Sequence, residues 1–131
     1  MIESTGQIKI LLIDDDSINN FLNEKLLKIN YHELAIEICV NAKTALEKLL
    51  GDYYPDLILL DLNMPGINGW MFLDEFRNYK KKIPVIILTS SIDPRDRLKS
   101  KQYSEVIDFI EKPLNTIKIN KLLNSIPGQK T

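Results

Sequence analysis

IKILLIDDDSIN, residues 8–19, runs from a nearly unbroken apolar stretch into three consecutive aspartates and then into a helical pattern. With Lys9 as its sole interruption, the apolar part reads as a strand covered on both faces, because a half-wet strand would alternate. Asp16 or Ser17 stands where a helix cap belongs, and Ile18, Phe21, Leu22, Leu26 and Ile29 recur behind it at helical spacing. A buried strand that stops at three carboxylates poses an electrostatic problem. Like charges about 4 Å apart repel by roughly 4 kcal/mol at an effective dielectric near 20. Burial raises that cost unless the charges are paired or bind a metal. The aspartates therefore imply that something else is seated among them.

The strand-then-helix pattern repeats along the chain. Further strands are expected at LAIEICV (34–40), DLILLDL (56–62), VIILTS (85–90) and VIDFIEK (106–112). Ala45, Leu46, Leu49 and Leu50 mark a second helix before Gly51, GWMFLDEFRNY a third, and Leu114, Ile117, Leu122 and Ile126 the last. The fourth helix, within DPRDRLKSKQY, is weak, with Leu98 and Tyr103 nearly its only core candidates. Five such alternations predict an α/β domain with a parallel sheet, since parallel neighbours need crossovers and helices supply them.

Composition agrees. The chain has 131 residues, 44% of them hydrophobic and 27% charged, which suits one globular domain with a substantial core. A formal net charge of -1 gives no electrostatic case for nucleic acid or an anionic membrane as the main partner. MIESTGQ lacks the basic and apolar regions of a secretory signal, and no apolar run nears the roughly 20 residues that span a bilayer. A cytoplasmic protein is expected. Cys39 is the single cysteine, and inside LAIEICV it reads as a small core residue.

Parallel strands place all their carboxyl ends on one edge, outside which open α/β sheets bind ligands. The first strand ends in Asp14 and Asp15, the third in Asp61, the fourth in Thr89 and Ser90, and the fifth in Lys112 and Pro113. The second, ending in Val40 and Asn41, adds nothing reactive. Singly, each of these residues has an ordinary use as a cap, a turn former or a solvated charge. Together, carboxylates from two strands with a hydroxyl and an ammonium can hold a hard cation and offset the charge of a phosphoryl group.

The acidic pair Asp14 and Asp15, followed in order by LLDLNMPGINGW, ILTS and EKP, resembles the receiver domain of bacterial two-component response regulators, particularly the stand-alone chemotaxis-regulator type. The resemblance runs from about Ile8 to Ile126, the expected core of a single domain over 1–131. It implies a flavodoxin-like five-stranded parallel sheet in the order 2-1-3-4-5, with helices on both faces. It also implies that Asp61 accepts a phosphoryl group from the phosphohistidine of a sensor histidine kinase or histidine phosphotransfer protein, forming an aspartyl phosphate. Mg²⁺ would be held by Asp15, by Asp14 largely through water, by the Asn63 carbonyl and by Asp61, which would answer the repulsion among the aspartates. Asp16 reads as the helix cap.

By the same resemblance, Lys112 pairs with the phosphoryl group and Thr89 hydrogen-bonds it, while Phe109 holds the position of an aromatic that turns inward behind the threonine. Phenylalanine has no hydroxyl, so packing alone would drive that switch. The Lys112–Pro113 bond is expected to be cis and to aim the ammonium. Ser91 and Asn63 lie where the family tunes phosphoryl lifetime. KSKQYSEVIDFIEKP departs from the family: Gln102, Tyr103, Ser104 and Glu105 replace a small Gly-Ala-like pair, and the loop after LTSS runs about one residue long. PGQKT after Ile126 is too short for an output domain, so any effect is expected to pass through contacts with a protein target. His32 is expected to be structural or solvated.

Two alternatives stand beside this. DDDS, Asp14 to Ser17, also fits the first motif of a haloacid-dehalogenase-like phosphatase, with Asp14 as nucleophile and Asp16 as general acid. The chain could instead be a receiver-shaped interaction module that works without phosphate.

Overall fold

The computed structural model describes residues 7–31, 33–91 and 93–127, so His32 lies outside the described residues. Among these, five strands alternate with five helices: β1 (Ile8–Ile13), α1 (Ser17–Asn30), β2 (Leu34–Cys39), α2 (Ala42–Leu50), β3 (Leu57–Leu60), α3 (Gly69–Phe76), β4 (Val85–Thr89), α4 (Pro94–Ser100), β5 (Val106–Glu111) and α5 (Thr116–Asn124). Every strand pair is parallel and the order is β2-β1-β3-β4-β5. The fold is flavodoxin-like, and its strands fall where the apolar runs predict them.

Alternation along the strands divides the core into two layers. Leu11, Ile13, Ile58, Leu60, Val85 and Ile87 pack against Ala45 and Leu49 of α2 and Phe72, Leu73 and Phe76 of α3. Ile10, Leu12, Leu57, Leu59, Ile86 and Leu88 face the other way, onto Leu27 of α1 and Ile119, Leu122 and Leu123 of α5. The central strands β1, β3 and β4 are therefore covered on both faces, which is why they read as continuous apolar runs, whereas the edge strands β2 and β5 are partly exposed. Side-chain caps start the helices: Asp16, Asn41, Asn68, Asp93 and Asn115 each accept from a first-turn N–H.

The helix faces depart from expectation. Of the apolar stripe read on α1, Ile18, Phe21, Leu22 and Ile29 are exposed and only Leu26 is half-buried, while Asn20, Asn23 and Leu27 face inward. Asn20 Nδ2 donates to the Asp14 carbonyl just past β1, on the same inward side as Leu27. Leu50 and Ile117 are likewise exposed, and Ile119 occupies the core position expected of Ile117. α4 is only 7 residues long, Leu98 lies on its wet side, and Tyr103 is buried beyond the helix end. Tyr103 stacks on Trp70 with centroids 5.6 Å apart, and its hydroxyl donates to Asp74 Oδ1 at 2.8 Å. These bonds to α3, rather than a helical stripe, bury it.

Two glycines shape the β3–α3 connection. Gly66 has φ +77°, a left-handed turn conformation that favours glycine. A Cβ on Gly69 would lie 2.8 Å from both Asp61 O and Leu62 Cα, so only glycine lets the start of α3 press against the end of β3.

Candidate functional site

The backbone delivers the acidic groups to one edge. Asp14 follows β1 with its N–H bonded to Cys39 O at 3.1 Å, and Asp61 follows β3 with its N–H bonded to Ile13 O at 2.9 Å. Because β1 lies between β2 and β3, these extensions of the ladder set the two aspartates side by side. Both are buried, whereas Asp15 is exposed. One carboxylate oxygen from each of Asp14, Asp15 and Asp61 lies within 4.8 Å of the others.

Asp14 is fully engaged. Its Oδ1 accepts from Asp16 N–H at 2.9 Å and its Oδ2 from Lys112 Nζ at 2.6 Å. The same ammonium is 3.8 Å from Asp61 Oδ1. Lys112 is itself mostly buried, and it reaches the pair from the far end of β5, whose Lys112 N–H bonds Thr89 O at 2.8 Å. The Lys112–Pro113 bond is cis.

Asp61 is the group left under electrostatic stress. Its carboxyl is raised from 3.8 to about 6, chiefly by burial; Lys112 and a bond from the Asn63 backbone N–H pull it down, and Asp14 and Asp15 push it up. A carboxylate displaced in this way is a recurrent mark of a functional position.

Thr89 is buried at the end of β4, and its Oγ1 accepts from Ser91 N–H at 3.2 Å. Ser91 Oγ donates to Asp96 Oδ2 at 2.5 Å, which ties the loop after β4 to the first turn of α4. Phe109 is buried on β5 beneath the Arg97 guanidinium, which lies 4.7 Å from the ring centroid and donates to Phe109 O at 3.4 Å. The predicted residues thus split into a tight group, Asp14, Asp15, Asp61 and Lys112, and a flanking pair, Thr89 and Phe109, each tied to α4 or its loop. Asn63 touches the tight group through its N–H to Asp61.

The donor set suits a small hard cation. Oxygens sharing one Mg²⁺-sized ion are at most about 4.2 Å apart, twice a bond of about 2.1 Å. A spread of up to 4.8 Å fits if one carboxylate acts through water. Asp14, with both oxygens already bonded, is suited to that part.

A family model described as the response regulator receiver domain matches residues 10–124. The chain belongs to that family. Among curated relatives of this receiver, the sensor histidine kinase CheAY of Helicobacter pylori is 36% identical over 109 residues, covering 79% of this chain and 13% of that protein. The response regulator ArlR of Staphylococcus saprophyticus is 35% identical, covering 82% of this chain and 46% of that protein. The receiver thus spans less than half the length of either. A crystal structure of a two-component response regulator from Cytophaga hutchinsonii superposes with a TM-score of 0.84 at 34% identity, covering 95% of this chain and all of the other.

The phosphatase alternative finds no support in the receiver's geometry. Asp14, its nucleophile, is held by Lys112 and Asp16 N–H, and Asp16, its general acid, caps α1 by accepting from Ile18 and Asn19. Three participants escaped the sequence reading. Asn20 bonds the Asp14 carbonyl, while Asp96 and Arg97 hold Ser91 and Phe109. The signal for Asn20 was an asparagine within the apolar helix that follows the acidic run; Asp96 and Arg97 carried none, because charged residues on a short polar helix look like solvent-facing ones.

Proposed function

We propose that the chain acts as one receiver unit over about residues 8–126, taking a phosphoryl group from a phosphohistidine onto Asp61 in the cytoplasm. The observation that carries this is the meeting of Asp14, Asp15, Asp61 and Lys112 at one sheet edge, with the Asp61 carboxyl displaced upward by burial. Asp61 attacks the phosphorus, the new O–P bond replaces the P–N bond of the donor, and the departing imidazole takes its proton from solvent. Lys112, already between Asp14 and Asp61, shifts onto the incoming phosphoryl oxygens. Thr89, whose Oγ1 accepts from Ser91 N–H, donates its own hydroxyl proton to them. Asp15 and Asp61, with Asp14 through water and the Asn63 carbonyl, would hold Mg²⁺, which offsets phosphoryl charge when bound. Positioning and charge neutralisation supply most of the catalysis in phosphoryl transfer, so no further acid or base is required.

The donor partner is a histidine kinase or a histidine phosphotransfer protein. Exposed Ile18, Phe21, Leu22 and Ile29 begin two residues past the N-cap beside Asp14, and they offer an apolar helix face bordering the site. Such a face fits a helix of the donor carrying its histidine to Asp61. Downstream effects pass to a protein target through contacts that phosphorylation alters at Thr89 and Phe109.

Intact mass after incubation with acetyl phosphate tests the chemistry, using wild type and Asp61→Asn with Mg²⁺ or with EDTA. A single phosphoryl adduct requiring both Asp61 and Mg²⁺ is expected. An adduct persisting in the variant, or none in wild type even with beryllofluoride as a stable analogue, overturns the assignment, the latter favouring a phosphate-independent module.

A further inference from the structure

α1 is oriented against its own hydrophobicity. Its first two turns turn Asn20 (3% exposed) and Asn23 inward and leave Ile18 at 71% exposed. Leucine at position 20 would fill similar space without burying an amide, so the asparagine must answer a need of something nearby. Its Nδ2 donates to Asp14 O at 2.9 Å. β1 ends at Ile13, so the Asp14 carbonyl lies past the sheet ladder, and this amide supplies it with a donor. Asn20 Oδ1 is meanwhile buried without a hydrogen-bond partner among the described residues. A buried acceptor left unmet is destabilising, so the residue carries a stability cost in holding this one carbonyl.

The Asp14 carbonyl belongs to the peptide that joins Asp14 to Asp15. It links Asp14, whose carboxylate takes the Lys112 ammonium, to Asp15, whose carboxylate lies with those of Asp14 and Asp61. We propose that Asn20 is a positioning residue for cation binding, clamping the Asp14–Asp15 peptide so that the carboxylates of Asp14, Asp15 and Asp61 stay convergent. The inference rests on assigning that cluster to a divalent cation. Asn20 touches neither the cation nor the phosphoryl group; it acts through the backbone, as outer partners of metal ligands do.

The test is Mn²⁺ binding to the full chain, followed by the electron paramagnetic resonance signal of the free ion, with circular dichroism and thermal melting on the same samples. Asn20→Leu removes the donor and the unmet oxygen together, and Asn20→Ala removes both without adding bulk should leucine fail to fold. Asn23→Leu is the control, on the same buried face one turn along. Either Asn20 variant is expected to weaken Mn²⁺ binding by about tenfold, the lower end for such outer partners. Melting temperature should change little for Asn20→Leu, because the unmet amide oxygen disappears as the Asp14 carbonyl loses its donor, and Asn23→Leu should bind like wild type. Wild-type affinity in folded Asn20 variants, or equal losses in Asn23→Leu, overturns the proposal. Absence of binding by wild type is a distinct result that removes the cation assignment and the proposal with it.

Discussion

Lys112 Nζ sits 2.6 Å from Asp14 Oδ2 and 3.8 Å from Asp61 Oδ1, so before phosphorylation the ammonium belongs to Asp14 and only leans toward the acceptor. Lys112→Met keeps the aliphatic stem and removes the charge that this arrangement makes available to a phosphoryl group. Phosphorylation by acetyl phosphate is expected to slow about a hundredfold, the loss typical of one preorganised electrostatic partner. Adduct formation against time by intact mass measures it. A rate within threefold of wild type would remove Lys112 from the chemistry.

The displaced Asp61 carboxyl makes metal-free stability depend on pH. Its folded value of about 6 lies above the ordinary 3.8, so between those values the folded state holds a proton that the unfolded chain has released. Stability therefore falls as pH rises through that window. The displacement from 3.8 to about 6 corresponds to about 3 kcal/mol at roughly 1.4 kcal/mol per pH unit. Asp61→Asn abolishes this contribution. In EDTA its melting temperature should exceed that of wild type at pH 7.5, and the gap should close toward pH 4. A gap that is flat with pH would contradict the burial argument.

Gly69→Ala should damage both fold and site. The added Cβ would meet two backbone atoms, Asp61 O and Leu62 Cα, at 2.8 Å, and neither can step aside as a side chain could. A loss of about 1–3 kcal/mol is expected from overpacking, read by urea denaturation. Because the displaced carbonyl is that of Asp61 itself, the phosphorylation rate should fall in the protein that remains folded. Gly51→Ala, where the nearest such contact is an ordinary 3.6 Å, serves as the control.

The sheet and the edge-clustered residues were legible because each rests on a local signal. Strands dry on both faces read as continuous apolar runs, and parallel topology then gathers their carboxyl ends without further information. The helices were less legible, since apolar spacing gives a helix but not its rotation. α1 shows the limit: Asn20, bonded to the Asp14 carbonyl, and Asn23 face inward beside Leu27, while Ile18 and Ile29 are exposed. Tyr103 shows another, because its burial depends on Trp70 and Asp74 about 30 residues away, a pairing that no local pattern encodes. The resting partner of Lys112 was hidden for a similar reason: Asp14 is 98 residues distant, and only the geometry of the edge decides which carboxylate it meets.

The exposed face of α1 separates recognition from chemistry. Phe21 lies beneath Lys25, whose ammonium is 5.1 Å from the ring centroid; it is 57% exposed and stands outside both core clusters of the described residues. Phe21→Glu should therefore leave the melting temperature nearly unchanged, as exposed substitutions generally shift stability by within about 0.5 kcal/mol. It places a charge where an apolar helix face of the donor would dock, and desolvating that charge weakens the encounter. Acetyl phosphate, too small to use the face, should phosphorylate the variant at the wild-type rate. Transfer from a phosphorylated histidine phosphotransfer protein should fall at least tenfold in apparent second-order rate. Equal losses with both donors would mean the substitution disturbs Asp61 and its neighbours, whereas no loss with either would place the donor on another face of the molecule.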